Sequence, residues 1–517
     1  MKVTTKILEN EFWWGGSVAN GHKQPYSAES DFTFDLHDGQ NQSAPLYLSS
    51  KGRYIWAESP MTITFLGGEI TAEGEGVVLV EAGSCLKEAY LAAMKAHFPF
   101  ENKKLPEKFF RTAQYNTWME MPYEPSQEKV LAYAHSIVDN GYEPGILIID
   151  EGWCSRYGVW EFDGGRFPDP KAMVEELHSL GFTVMLWIVP YFCSYYRDYL
   201  KHVSPYWCPP NEEYAPLFLR KESGIRNVSL LLWFDGITAA LDMTSKYATD
   251  YLHGQLHSLM ERYGVDGFKL DGGNIDAYAS KCFIANPPPQ SAEELNRAWN
   301  EFGEAYEYHE YKDTYNRGGK AVIQRIQDRM HSWENNGLAT LVPHAIVQGL
   351  LGYPYTCPDM IGGGNWIIEL QPDFVLDEEL FVRMAQCSAL FPMMQFSWAP
   401  WRKLSAENQK LCLEAAKLHV KFADYIVHCV NETRVSGEPI LRSMEYEYPN
   451  CGYEKIVDQF MLGDRILVCP CIVKGQTEKR VVLPKGRWRY VDGTEYEGDS
   501  MITVNAPLEV LPYFEKV

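Results

Sequence analysis

Residues 1 to about 83 alternate apolar and polar positions, and the runs are cut by glycines. Met61–Phe65 and Val77–Val80 flank Gly67-Gly68 and Gly74/Gly76, a pattern of short antiparallel strands joined by tight turns. A helical stretch, Cys85 to His97, and a Pro- and Lys-containing linker, Pro99 to Lys108, follow. From Arg111 the pattern changes to strand, helix, strand. Thr112–Trp118 reads as a strand, and Ser126 is placed to cap a helix carrying Val130, Tyr133, Ala134, Ile137 and Val138 on one face, ended by Asn140-Gly141. Ile146–Ile149 is a fully apolar strand closed by Asp150. Asp169-Pro170 opens a helix that stops at Gly181, and Phe182–Val189 is again a buried strand. After an aromatic-rich insertion near 191–244, Ser245 starts a helix leading to Gly264, and Val265–Leu270 is a strand closed by Asp271. Strands without a polar face, separated by helices, predict a parallel sheet covered on both sides. A helix from about Ala406 to Asn431 precedes a tail of short strand-like runs, Gln459–Gly463, Ile466–Val473 and Leu483–Trp488.

Both a doubly wound sheet and a closed (β/α)8 barrel accommodate this order. No Gly-x-Gly-x-x-Gly turn follows the first strand, and Gly362-Gly363-Gly364 lacks the Lys-Ser/Thr of a phosphate loop. Asp150, Asp271 and Asp359 all end strand-like segments, which is where a barrel gathers its functional groups. The reading is an α/β chain: an N-terminal β-sandwich-like domain at 1–105, a TIM barrel at 106–445 and a C-terminal β-sandwich at 446–517.

With 46% hydrophobic and 22% charged residues the composition is that of a folded globular chain. A net charge of −22 argues against a nucleic-acid backbone or an anionic membrane as partner. No apolar run is long enough to span a bilayer, and no apolar stretch follows the first lysines as an export signal would require. The 12 cysteines show neither CxxC pairs nor zinc spacing. Free thiols in a cytoplasmic, reducing compartment are therefore expected.

Strand-end carboxylates, 15 Trp and 32 Tyr, and no metal or nucleotide motif point to glycosidic bond chemistry, which needs one ionised and one protonated carboxyl on either side of a sugar. At this point the sequence resembles glycoside hydrolase family 31. The resemblance rests on Ile149-Asp150 before Trp160-x-Phe162 and Phe167-Pro168-Asp169, on Asp266-Gly267-Phe268-Lys269-Leu270-Asp271, and on Gln327-Asp328-Arg329-Met330-His331-Ser332-Trp333. It continues through Leu350-Leu351-Gly352-Tyr353-Pro354, Pro358-Asp359-Met360-Ile361-Gly362-Gly363, Gln459–Gly463 and Leu483-Pro484-x-Gly486-x-Trp488.

The resemblance implies a retaining, exo-acting α-glycoside hydrolase for a small oligosaccharide or glycoside, without metal or organic cofactor. Asp271 falls at the nucleophile and Asp328 at the acid/base, whose pKa partial burial should raise. Lys269, two residues before Asp271, should point into the barrel beside it. Asp150 matches the carboxylate that holds sugar hydroxyls, and Asp359 a position lining the same pocket. Arg325 is expected to aim at substrate hydroxyls or at Asp271. Trp118, Trp187, Trp153 and Trp398 are candidate pocket walls. Two departures stand out: the region before the barrel is short for the family, and Gln395-Phe396-Ser397-Trp398 replaces a histidine found in many glucose-specific members. Ile149-Asp150-Glu151-Gly152-Trp153 suggests an α-galactose-like sugar, with α-glucose or a 6-deoxy or otherwise modified hexose as alternatives. A transglycosylase and a non-catalytic sugar-binding relative are the rival classes.

Overall fold

The computed structural model describes residues 1–195, 217–220, 228–234, 236–280 and 291–517. The centre is a sheet whose hydrogen-bonded pairs are all parallel. Its strands are β1 (Gln114–Asn116), β2 (Ile146–Ile149), β3 (Thr183–Ile188), β4 (Gly267–Leu270), β5 (Tyr308–Tyr311), β6 (Ile323–Arg325), β7 (Thr356–Cys357), β8 (Met360–Ile361) and β9 (Gln395–Phe396). The path of nine strands begins on β7 and ends on β8. Those two are pieces of one segment parted by Pro358-Asp359, so the sheet closes on itself as a barrel of eight staves.

The apolar runs that predicted strands are buried throughout, because both faces of each stave are covered. Helices α1 (Gln127–Asp139), α2 (Pro170–Ser179), α3 (Lys246–Tyr263), α4 (Ala292–Gly303), α5 (Leu338–Leu350), α6 (Glu378–Ala389) and α7 (Ala406–Ser436) surround the barrel. The Ser126 hydroxyl accepts from the Lys129 N–H and the Asp169 carboxylate from the Ala172 N–H, as their positions predicted. Ser245 makes no such side-chain bond, but Gly264, in the left-handed region at φ 80°, closes α3 as expected. Helix α7 runs past Asn431 to Ser436 and stops at Gly437, also left-handed at φ 76°.

One helix of the expected alternation is missing. Between β5 and β6 the chain forms the short strand Thr314–Tyr315, which pairs with Gln42–Ser49 of the N-terminal region. That region has two sheets. One joins Lys2–Lys6, Phe32–Asp35, Thr62–Leu66 and Glu69–Glu73, and the other joins Trp13–Ser17, Gln42–Ser49, Arg53–Trp56 and Val78–Glu81 to the barrel. Every residue of Gln42–Ser49 is buried, since Ala44, Leu46 and Leu48 face the barrel core while Tyr47 faces the N-terminal one.

The C-terminal region has a six-stranded sheet and the pair Glu478–Leu483/Ser500–Asn505 around Trp488, Val481, Leu483 and Phe514. Of the insertion expected near 191–244, the described part includes a three-stranded antiparallel sheet of Tyr191–Cys193, Leu230–Trp233 and Gly236–Ala240. The rest lies outside the described residues. Among the described residues Cys85, Cys357, Cys387, Cys412, Cys429, Cys451, Cys469 and Cys471 are free thiols, all but Cys451 buried, and no helix is long and apolar enough to cross a membrane.

Arg383 on α6 ties the barrel to the C-terminal sheets. Its buried guanidinium donates to the Val510, Gln476 and Ala506 carbonyls at 2.9–3.0 Å. Arg383→Ala strands those acceptors in a dry interface, and an unmet buried hydrogen bond of this kind costs about 1–3 kcal/mol. Urea unfolding should show a lower midpoint, with the C-terminal region releasing first in hydrogen exchange. An unchanged midpoint would contradict this anchoring role.

Candidate active site

The C-terminal ends of β1 to β8 converge on one pocket. It is lined by Trp118, Asp150, Trp187, Phe234, Lys269, Asp271, Lys312, Arg325, Asp328, Met360, Gly364 and Trp366. Seven of the ten side chains expected from the sequence are thus brought together: Asp271, Asp328, Asp150, Lys269, Arg325, Trp118 and Trp187.

Asp271 is held from three sides. Its Oδ2 accepts from the Trp187 indole N–H at 3.0 Å and its Oδ1 from the Gly272 N–H at 2.8 Å, while the Lys312 ammonium stands 3.9 Å away. Burial alone would push this carboxyl up, but Lys312, Lys269 and Arg325 outweigh it and hold it below the ordinary aspartate value. It is held as an anion.

Lys269 points inward as expected but meets Asp150 rather than Asp271, at 2.6 Å. Asp150 Oδ2 also accepts from the Asn116 amide at 2.8 Å, and its Oδ1 from the Glu151 N–H at 2.9 Å.

Asp328 departs from expectation. Its side chain is 44% exposed, and it accepts from Lys312 Nζ at 2.7 Å and from Arg325 Nη1 at 3.0 Å. Burial acts to raise its pKa, but the two cations more than cancel that and leave it below the ordinary aspartate range. The expected rise is therefore reversed in the empty pocket. Arg325 likewise aims neither at open space nor at Asp271. Its Nη1 bridges Asp328 and Asp359, the latter at 2.5 Å, and its Nε faces Glu310 Oε1 at 3.2 Å.

Three expectations fail on position. Asp359 sits in the break between β7 and β8 at φ 71°, behind Arg325, where its other oxygen accepts from the Arg329 N–H at 2.7 Å. It supports the pocket instead of lining it. Trp153 is buried behind β3: the hairpin of Cys154–Arg156 and Val159–Phe162 folds it against Trp160 and Phe162, and its indole N–H donates to the Trp187 carbonyl at 2.8 Å. Trp398 is buried as well, donating to the Met119 carbonyl at 3.0 Å and packing on Phe374. Neither indole lines the pocket; each is packed among other aromatic rings, with its N–H on a backbone carbonyl.

The sequence reading missed Lys312, Phe234, Met360, Gly364 and Trp366. Lys312 follows β5, whose Tyr308-His309-Glu310-Tyr311 has too many polar atoms to read as a buried stave. The need for a strand between Asp271 and Asp328 was the available signal. Trp366 follows the glycine run, where the backbone turns tightly. At Gly363, with φ 105°, an added Cβ would meet the Glu369 carboxylate. The Gly364 carbonyl accepts from the Trp118 indole at 3.1 Å. Trp118, Tyr123, Phe234 and Trp366 form an aromatic collar with ring centroids 5.2–6.0 Å apart.

The N-terminal region reaches this site too. Gln42 Nε2 donates to the carbonyls of Lys312 at 2.8 Å and Arg325 at 3.0 Å. Among the described residues no cluster of His, Cys, Asp and Glu is arranged to hold a metal ion.

The family model described as "Glycosyl hydrolases family 31 TIM-barrel domain" matches residues 104–428, and the "Glycosyl hydrolase family 31 C-terminal domain" matches 437–517. Myogenesis-regulating glycosidase of Mus musculus is 29% identical over 448 residues, spanning 85% of this chain and 61% of the relative. Isomaltosyltransferase of Sporosarcina globispora is 25% identical over 382 residues, 68% of this chain and 33% of the relative. The chain thus spans about three fifths of the first relative's length and a third of the second's. The Flavobacterium johnsoniae dextranase solved with glucose superposes with a TM-score of 0.84 at 19% identity, covering 100% of this chain and 66% of that one. At that identity the likeness is one of fold.

Because Trp153 belongs to the wall, Trp153→Phe should cost stability, about 1–3 kcal/mol from the lost hydrogen bond and packing. It should leave the ratio of kcat/KM between epimeric sugars unchanged. Altered sugar discrimination at unchanged stability would return Trp153 to the pocket.

Proposed function

The chain belongs to glycosyl hydrolase family 31, and from that membership we propose that it is a retaining, exo-acting α-glycosidase with Asp271 as nucleophile and Asp328 as acid/base. The observation that carries this reading is the Lys312 ammonium, within 3.9 Å of Asp271 and 2.7 Å of Asp328. Those carboxylate oxygens lie no farther apart than the sum of the two distances. A pair of carboxylates close enough to share one ammonium supports the closer spacing of a retaining enzyme over the ~6.5–9.5 Å spacing that leaves room for a water in inverting ones.

In the first step Asp271 attacks the anomeric carbon while Asp328 gives its proton to the leaving oxygen. The bond from carbon to that oxygen breaks, and a glycosyl ester on Asp271 forms. In the second step Asp328 takes a proton from water, the water oxygen attacks the same carbon, and Asp271 departs as a carboxylate. The Trp187 N–H and the Gly272 N–H, both aimed at Asp271, stabilise the charge that returns to it.

Within this activity we assign the preferred sugar as α-galactose-like. The relatives described above are named for other activities, so specificity is where this chain is proposed to part from its family. Support comes from Asp150, whose carboxylate is fixed by Lys269, Asn116 and its own loop at the pocket floor. There it can accept from an axial 4-hydroxyl and the 6-hydroxyl together. The wall role first expected of Trp153 passes to Trp118 and Trp187, which do line the pocket. A site built to bond one hydroxyl rejects the epimer because its own buried groups go unpaired.

Asp271→Ala should lower turnover by roughly 10⁴-fold or more without unfolding the protein. Proton NMR during early hydrolysis should show the α-anomer released first. Inverted product would overturn the mechanism, and near-wild-type activity of the variant would overturn the assignment.

For nitrophenyl α-galactoside against α-glucoside, kcat/KM should favour the galactoside by about tenfold or more. A preference for the glucoside would defeat the sugar assignment alone.

A further inference from the structure

An acid catalyst must carry a proton when substrate is in place, yet Asp328 is gripped by two cations. Of these, Arg325 is 1% exposed and is also held by Asp359 and Glu310, so it has no freedom to leave. Lys312 differs. Its backbone is fixed by Gln42, but its ammonium reaches into the pocket on a flexible four-carbon stem, where its ion-pair partners among the described residues are Asp271 and Asp328. It stands between them, in the space the anomeric carbon and its neighbouring oxygens must take. With Lys312 there the cavity is about 50 Å³, against the ~300–1,000 Å³ usual for small-molecule sites. A hexose seated against Asp271 and Asp328 competes with the ammonium for this space.

We propose that Lys312 is a positioning residue that the sugar displaces, holding Asp328 ionised in the empty site and freeing it to take up a proton when the pocket fills. The proposal rests on the glycosidase reading. No covalent bond changes in this step. Lys312 keeps its proton and swings towards Asp271 or a sugar hydroxyl oxygen, and Asp328 gains a proton from solvent.

Among the described residues the charged groups facing Asp328 are Lys312 after β5, Arg325 at the end of β6, Arg329 next along the chain, Lys269 on β4, Asp271 just after it, and Glu369 beyond the glycine run. Losing the nearest cation moves the carboxyl upward from the depressed position that Lys312 and Arg325 give it against the push of burial. An acid that must be protonated loses activity as pH rises through its pKa, so the descending limb of the pH profile follows this residue. That limb reads the free enzyme in kcat/KM and the complex in kcat.

The test is the pair of profiles for wild type, Lys312→Met and Lys312→Arg on a nitrophenyl α-glycoside that the wild type hydrolyses. In the wild type the basic limb should lie lower in kcat/KM than in kcat, by about one pH unit or more. In Lys312→Met the kcat/KM limb should rise until the two coincide, and Lys312→Arg should restore the gap. With an α-glycosyl fluoride, whose leaving group needs little proton donation, the basic limb should vanish in all three proteins. Coincident limbs in the wild type, or a gap that survives in Lys312→Met, would overturn the proposal. Wild type inert towards both glycoside and fluoride would remove the glycosidase reading itself.

Discussion

A guanidinium sealed inside the barrel imposes the geometry of everything around it. Arg325 is 1% exposed and meets Glu310, Asp328 and Asp359. A charge taken out of water is tolerated only where its neighbours replace the lost hydration, and removing one partner leaves the others costly. Lys269 with Asp150, and Lys312 with Asp271 and Asp328, repeat the arrangement across the pocket floor. The carboxylates are therefore spaced by the cations between them, and those cations sit on or directly after strands rather than on long loops. Even Glu310, which never reaches the pocket, belongs to this set. Burial pushes its carboxyl above the ordinary glutamate value against the pull of Arg325 and Lys269.

This pattern explains what the sequence could disclose. β2 was legible because an unbroken apolar run ending in Asp has few other uses, and β4 because Val265, Phe268 and Leu270 lead to a second Asp in spite of Lys269. β5 was not, since Tyr308, His309 and Glu310 put three polar side chains in succession on the strand, with His309 and Glu310 fully buried. Trp153 illustrates a different limit. Its place after β2 is right for a pocket wall, but the hairpin that follows turns the chain back, and only the closed fold reveals that the Trp187 carbonyl holds its N–H. The pKa of Asp328 was misjudged for a related reason: its depressant, Lys312, comes from the unrecognised stave.

The pocket divides into two environments. Its floor is ionic and its mouth is aromatic, with Phe234 contributed by the turn between Leu230–Trp233 and Gly236–Ala240. A sugar ring has the same division, hydroxyls on its edges and C–H bonds on its faces, so the collar suits the ring face while the floor suits its edge.

The missing barrel helix changes what counts as the catalytic unit. Because Thr314–Tyr315 is a strand of the N-terminal sheet, and Gln42 grips the backbone on either side of β5 and β6, the first hundred residues share custody of the reacting groups. Heat or mutation that loosens that sheet would disturb the pocket while the barrel is still intact. A lesion in it would present as an active-site defect although no side chain in the pocket had changed. The stability of the N-terminal layer thus sets the temperature up to which the pocket keeps its shape.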